Sequence, residues 1–212
     1  MEMDDERPPA NPAESLRLIE QERAAAERGL GAHPLAFFGP WGVAWLAGFG
    51  LIFLRFGPDG RVFVSMPPWL PVLGLFALLL GAGVVSGYLA GRAFRHIRGQ
   101  SSAQGAMYGL SWLLAFLGMG TTLPRFAGHL PEAEAGLLFG SVAVGLTGAL
   151  HLAGSAIWRD RSLFALGAWI IVINILGTAA GPGWHSLIVS VAGGGGMLLL
   201  GVVISFRQRR RR

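Results

Sequence analysis

Six long apolar segments decide what this chain can fold into. Each has about 20 residues, enough for a helix rising about 1.5 Å per residue to cross the hydrocarbon core of a bilayer. None contains Asp, Glu or Lys, and the one Arg lies near the end of the first segment. Because hydrocarbon offers no partner to an unpaired backbone group, such segments must be helical. The predicted spans are residues 35–56, 69–91, 105–123, 135–158, 163–180 and 184–206.

The composition is also that of a membrane protein. Only 14% of the residues are charged and 52% are hydrophobic, whereas about 25% of an average soluble domain is charged. We therefore predict an all-α, polytopic transmembrane bundle of six spans, with the lipid bilayer as its main partner. The predicted organisation is an N-terminal segment (1–34), a six-span domain (35–206) and a polybasic tail (207–212).

Arginine positions predict the orientation of the bundle. All 17 basic residues are Arg, and all but Arg55 lie between the predicted spans or at the chain ends. One side holds Arg7, Arg17, Arg23, Arg28, Arg92, Arg95, Arg98, Arg159, Arg161, Arg207 and 209–212, whereas the other holds only Arg55, Arg61 and Arg125. Because cytoplasmic loops are enriched in Lys and Arg, both termini are predicted to be cytoplasmic. This distribution indicates membrane topology, and we predict no nucleic-acid partner.

The N-terminal segment carries a helix-start signal. Asn11-Pro12-Ala13-Glu14 offers an N-cap, a proline in the first turn and an acid. A helix over about 12–28, ended by Gly29, is predicted. Two interpretations stay open, a solvated helix and a docking helix for a protein partner. The 34 residues before the first span are polar, so that span is not expected to be a cleaved signal peptide.

The chain matches itself at an offset of 67 residues. Gly42, Trp45, Leu46, Phe49, Leu70, Gly81, Ala82, Gly87 and Arg92 meet Gly109, Trp112, Leu113, Phe116, Leu137, Gly148, Ala149, Gly154 and Arg159. This register predicts consecutive two-helix hairpins in parallel orientation. A third copy, marked by Trp169, Gly196 and Arg207, is weaker and stays open.

Small residues recur along the even-numbered spans. They are Gly83, Gly87 and Gly91 in the second, Ser141, Gly145 and Ala149 in the fourth, and Ala192 and Gly196 in the sixth. Because packing holds helices together in lipid, these rows predict close contacts within the bundle. A homo-oligomer face is the alternative for the second span.

Four consecutive glycines interrupt the sixth span at Gly193, Gly194, Gly195 and Gly196. Each costs a helix about 1 kcal/mol relative to alanine, so they are candidates for a helix break. Broken helices in membranes line cavities or bind ions. A smooth surface that accepts a packed Trp is the other interpretation.

A few polar residues lie within the spans. Thr147, His151 and Ser155 are spaced by four on the fourth span, and Asn174 lies in the fifth. They are candidates for a substrate pathway, because buried polar groups in membranes are costly and often functional. Structural hydrogen bonding between helices is the alternative.

Motifs of enzymes and metal sites do not occur in the sequence. The chain has no cysteine, no phosphate-binding GxxxxGK[ST] loop, no HExxH and no GxSxG elbow. We therefore expect no catalytic residue, no metal and no cofactor. The lack of carboxylates within the spans also disfavours a proton- or sodium-coupled pump.

Two motifs carry a family resemblance. Phe38-Gly39-Pro40-Trp41-Gly42-Val43-Ala44-Trp45 and Ala180-Gly181-Pro182-Gly183-Trp184-His185-Ser186 are followed by the glycine run. With these motifs the chain resembles uncharacterised six-span actinobacterial membrane proteins, often labelled transporter or transport-associated. The resemblance covers most of the chain, from the helix after Asn11 to the sixth span, and implies a protein of the bacterial cytoplasmic membrane with no known substrate or site residues. Two functions are expected, a small permease, or a non-catalytic subunit that binds a partner such as a transport ATPase complex.

Overall fold

The chain folds into helices of membrane-spanning length. The computed structural model describes residues 34–93 and 100–210, together with Asn11, Ala13 and 15–17. The first five spans are α1 (Pro34–Arg55), α2 (Trp69–Ala93), α3 (Gln100–Ala127), α4 (Glu132–Trp158) and α5 (Arg161–Ala180). The sixth consists of α6 (Trp184–Ile188), a π-helix (Val189–Gly195) and α7 (Gly196–Arg210). Six segments are long and apolar enough to cross a membrane, and the described residues contain no strand. The predicted all-α fold is confirmed.

Of the predicted N-terminal helix only the start is described. Ala13 and residues 15–17 are helical, and the Ser15 amide donates to the Asn11 carbonyl at 3.2 Å. The remainder of the predicted helix lies outside the described residues.

Local sequence fixes the turns around α5. Asp160 caps its first turn, because its carboxylate accepts from the amides of Ser162 at 2.7 Å and Leu163 at 3.3 Å. Beyond the other end of α5, Gly181 and Gly183 have φ angles of 90° and 81°, a region that favours glycine. These two short turns hold α4, α5 and α6 as successive antiparallel helices.

The helices pack in a row, in the order α2, α1, sixth span, α5, α4, α3. The tightest contacts join α4 with α5 and α1 with both α2 and the sixth span. Apolar side chains from α1, α4, α5 and the sixth span form the core, namely Trp45, Phe49, Val144, Ile170, Ile173, Val189 and Met197. The centre of the row is therefore a closely packed apolar interior.

Glycines permit the closest helix contacts. An added Cβ at Gly148 would lie 2.8 Å from Ile171, and one at Gly167 would lie 3.0 Å from the Gly148 carbonyl. Gly193 lies under the Trp45 ring, where a Cβ would meet the ring at 2.9 Å. The glycine run does not interrupt the sixth span, since helical backbone continues from Trp184 to Arg210 through the π-helix. Gly193 and Gly194 form a packing surface within the widened π-helix, Gly196 faces the Trp169 ring, and a Cβ at Gly195 would meet no described atom within 4 Å.

The helices at the two ends of the row, α2 and α3, are less buried than the four helices between them. In α2 only 6% of the apolar window is buried, and in α3 none of it is. A Cβ at Gly83, Gly87 or Gly91 would meet no described atom within 4 Å. This small-residue row does not make the contact within the bundle that the sequence predicted.

An aromatic donor links each odd-numbered span to the next one. Trp41 Nε1 donates to the Ser86 hydroxyl at 2.8 Å, and Tyr108 Oη donates to the Leu150 carbonyl at 2.8 Å. Trp169 Nε1 donates to the Ala192 carbonyl at 3.0 Å. Positions 41 and 108 are separated by the 67-residue offset of the sequence repeat. The hairpin repeat itself stays a prediction, because the tight contact between α4 and α5 joins different hairpins.

The two ends of the bundle at which the loops lie differ in arginine content, and we name these two faces accordingly. The Arg-poor face carries residues 56–68, 128–131 and 181–183, and the Arg-rich face carries the opposite helix ends. On the Arg-poor face, a short 3-10 turn (Pro58–Gly60) follows α1, and the Phe63 and Val64 amides donate back to the Leu54 carbonyl at 2.9 Å. Gly183 packs against the buried Gly57 and Pro58, so this turn covers the α5–α6 connection.

Candidate functional site: a polar bridge beside a groove

His185 lies in the first turn of α6, just below the Arg-poor face. Its side chain is only 2% exposed, and its Nε2 is 2.9 Å from Asn174 Oδ1 on α5. Two glycines make room for the ring, because an added Cβ would lie 3.2 Å from its Cε1 at Gly140 and 3.0 Å from its Cδ2 at Gly177. The Phe49 ring lies edge-on to the imidazole, with centroids 6.5 Å apart. The imidazole is thus enclosed by α1, α4 and α5.

Asn174 continues the hydrogen bonding to α4. Its Nδ2 donates to the Ser141 carbonyl at 3.0 Å, so its Oδ1 is the acceptor and His185 Nε2–H is the donor. Gly145 leaves space for the amide, since a Cβ there would lie 3.1 Å from Nδ2. We call this arrangement the His185–Asn174–Ser141 bridge. It joins three consecutive spans inside an apolar bundle.

A shallow, wide-open groove runs along the outer surface of α4 and α5 beside the bridge. Its volume is about 510 Å³, and its lining is Ser141, Val142, Asn174, Ile175, Thr178 and Ala179. Ile175 is 60% exposed, so the groove opens sideways on the membrane-facing surface. The lining contains an amide and two hydroxyls and no charged side chain. The groove therefore suits an uncharged molecule.

The predicted pathway residues of α4 bond within their own helix. Thr147 Oγ1 donates to the Ala143 carbonyl at 2.8 Å, and Ser155 Oγ donates to the Leu152 carbonyl at 2.6 Å. His151 Nδ1 is 2.8 Å from the Thr147 carbonyl, which makes this nitrogen the donor. The Trp112 ring of α3 lies edge-on to His151, with centroids 5.3 Å apart. Each of these three residues therefore has at least one hydrogen bond within α4.

The structure thus separates the candidates that the sequence grouped. His151 packs near Gly167, whereas Asn174 lies seven residues further along α5, about 10 Å away at the helical rise. Asn174 belongs to the bridge, and Thr147, His151 and Ser155 do not. Sequence reasoning missed the role of His185. Its signal was a histidine two residues after a Gly-Pro-Gly turn, at the beginning of an apolar span.

The side chains of the site offer hydrogen-bond donors and acceptors and carry no charge. Among the described residues, no group of three or more His, Cys, Asp or Glu side chains could hold a metal ion. Comparison with protein-family models, curated proteins and solved structures gives no match for this chain. The bridge and the groove are therefore the main basis for a functional conclusion.

Proposed function

We propose that this chain is a small permease that takes up an uncharged molecule at the His185–Asn174–Ser141 bridge. The carrying observation is the bridge itself, an imidazole and a carboxamide held inside an apolar bundle at the edge of a groove. Buried polar groups in membrane spans are costly, and by default they mark a functional site. By the positive-inside rule the Arg-poor face, which is the end of the bundle nearest to the bridge, is expected on the outer side of the membrane.

Two further features support uptake near the bridge. A π-helix follows His185 after three residues, and π-helical turns frequently occur at functional sites. The side chains that line the groove are uncharged, which fits a permease that needs no coupling ion.

The test is solute flux in proteoliposomes. Swelling rates are measured with a panel of uncharged solutes, from polar ones such as urea and glycerol to amphiphilic ones such as short-chain glycerol monoesters, against protein-free liposomes. The test variant is the double replacement His185→Phe with Asn174→Leu, because removing both hydrogen-bonding partners together costs far less stability than removing one. Thr147→Val is the control, since Thr147 bonds only its own helix.

Wild-type protein should accelerate swelling for at least one solute, and the double variant should reduce that rate by about tenfold, the factor for roughly 1.4 kcal/mol of lost binding. Thr147→Val should keep the wild-type rate. His151→Phe, made separately, reports whether the pathway extends along α4. A wild-type rate of flux in the double variant would show that the bridge is not required for transport. Protein that moves no solute faster than bare liposomes would contradict the permease itself.

A second function, that of a non-catalytic membrane subunit, is supported by the ends of the row. Apart from Gly74, the glycines of α2 and α3 face no described residue within 4 Å, namely Gly81, Gly83, Gly87, Gly91, Gly105, Gly109, Gly118 and Gly120. Elsewhere in the bundle, as at Gly148 and Gly194, glycine is used for close helix contact. Open small-residue faces at both ends of the row fit association with another membrane protein or a second copy.

Gentle purification from native membranes, followed by mass measurement, tests this second function. A partner should co-purify with the chain and be lost from the variant Gly83→Leu with Gly87→Leu. Gly81→Leu is the matched control, because Gly81 is equally open but points to a different side of α2. A variant without residues 1–30 tests separately whether co-purification of the partner depends on the predicted N-terminal helix. Recovery of the wild-type chain alone would exclude the subunit function.

A further inference from the structure

The groove on α4 and α5 contains unused hydrogen-bonding capacity. Asn174 uses one Nδ2 hydrogen on the Ser141 carbonyl, and its second is not bonded by any described residue. The Thr178 hydroxyl, one helical turn away, likewise has no partner among the described residues. Ser141 Oγ donates to the Leu138 carbonyl at 3.2 Å and keeps its acceptor positions. Three polar groups therefore converge on one apolar groove with donors and acceptors to spare.

Their depth matches the polar boundary of a lipid layer. Thr178 lies two residues from the end of α5 and Asn174 lies six, about 3 Å and about 9 Å below the helix end. The surface around them is apolar, with Val172, Ile175 and Leu176 all exposed. A polar group bound at Thr178 and Asn174 would thus continue into a chain lying against this apolar surface.

We infer that the groove binds an uncharged amphiphile that enters sideways from the bilayer, with its hydroxyl or ester carbonyl on Thr178 and Asn174. This inference rests on the proposed function and names the class of molecule taken up. The absence of charge in the lining disfavours phosphate or ammonium headgroups, which would lose their hydration without a counter-charge. The lateral opening disfavours molecules that lack an apolar part.

Binding is tested on purified full-length protein in detergent micelles, by native mass spectrometry with three probes. They are dioctanoylglycerol, dioctanoyl phosphatidylglycerol and glycerol. Two variants address the groove without touching the bridge: Thr178→Val removes a hydroxyl at constant volume, and Ala179→Phe fills the space. Thr122→Val is the control, because Thr122 is an exposed threonine on α3.

Dioctanoylglycerol should bind wild type with a saturable stoichiometry of one. Thr178→Val should weaken this binding about fivefold, the effect of one hydrogen bond, and Ala179→Phe should weaken it further. Thr122→Val should leave it unchanged. Equal affinities in all variants would overturn the inference. So would glycerol or the phosphatidylglycerol binding as tightly as dioctanoylglycerol in the same Thr178-dependent manner.

The two proposals can fail separately. If dioctanoylglycerol binds in the groove but the protein moves no molecule across liposomes, the permease is wrong and the amphiphile site stands. If solute flux depends on the bridge but is unaffected by Ala179→Phe, the permease stands and the groove is not its binding site.

Discussion

At the residue scale, the position of His185 depends on two neighbouring residues that have no side chain. Two glycines, Gly140 and Gly177, leave the volume that the imidazole fills, and Asn174 supplies the acceptor for its Nε2–H. Without that acceptor the ring would be a buried donor with no partner, which costs about 1–3 kcal/mol. The bridge is thus a cooperative unit, since Asn174 orients its oxygen by donating to α4.

A double-mutant cycle measures this cooperation. Asn174→Ala and His185→Ala should each destabilise the fold, and the double variant should be less destabilised than their sum, because either change alone already breaks the bond. The coupling should be about 0.6 kcal/mol, the average for membrane proteins, and at most about 1.7 kcal/mol. The free energy of unfolding in mixed micelles gives the value.

The control cycle pairs Asn174→Ala with Ser155→Ala, where the hydroxyl bonds within α4. These two effects should add within about 0.5 kcal/mol. Additivity in the His185 cycle as well would show that the two side chains do not stabilise each other.

At the element scale, the sixth span widens where it meets α1. Gly194 lies against the backbone of α1, so an added Cβ would overlap the Leu46 amide and lie 2.8 Å from the Gly42 carbonyl. Ser190 Oγ donates to the Leu46 carbonyl at 2.7 Å in the same contact. Trp169 on α5 bonds the Ala192 carbonyl inside the π-helix. The irregular backbone is therefore held from two sides.

Adjacent glycines in this run should respond oppositely to alanine. Gly194→Ala should destabilise the protein by about 1–3 kcal/mol, because the new methyl group meets rigid backbone of α1. Gly195→Ala should be neutral or stabilise by up to about 1 kcal/mol, since its Cβ would meet no described atom within 4 Å and alanine favours a helix. Thermal unfolding of both variants in one detergent checks this. Equal losses would mean that backbone flexibility, and not the α1 contact, is what the glycines supply.

The helices and their contacts also show how much of the fold could be predicted from the sequence. Hydropathy located the spans to within a few residues, because the bilayer imposes both length and composition. It did not show which neighbours touch: α4 packs most closely on α5 of the next hairpin, and α3 is peripheral. A row of glycines in the sequence also does not show which helix packs against it, since Gly148 is in close contact with α5 whereas Gly87 meets no described atom within 4 Å. Likewise Asn174 was identified as a costly polar residue, but its partner His185 depends on the geometry of the α5–α6 turn.

At the scale of the whole molecule, the row of helices has two ends that are close along the chain. Only residues 94–99 separate α2 from α3, and seven residue steps reach at most about 25 Å. The row must therefore curve so that its ends lie within this distance on the Arg-rich face. Both end helices contact mainly one neighbour each. The two end helices therefore have the most surface left for lipid or a membrane partner, since only 6% of the apolar segment of α2 and none of that of α3 is buried.

The orientation of the whole bundle remains a prediction, and the chain is well suited to testing it. Because it contains no cysteine, a single introduced thiol reports one position without background. Ser65→Cys lies in an exposed loop of the Arg-poor face, and Ser162→Cys lies in an exposed first turn on the Arg-rich face. The arginine distribution predicts that a membrane-impermeant maleimide labels Ser65→Cys in intact cells, and labels Ser162→Cys only after permeabilisation. The reverse pattern would contradict the predicted orientation and put the groove near the cytoplasmic side of the membrane.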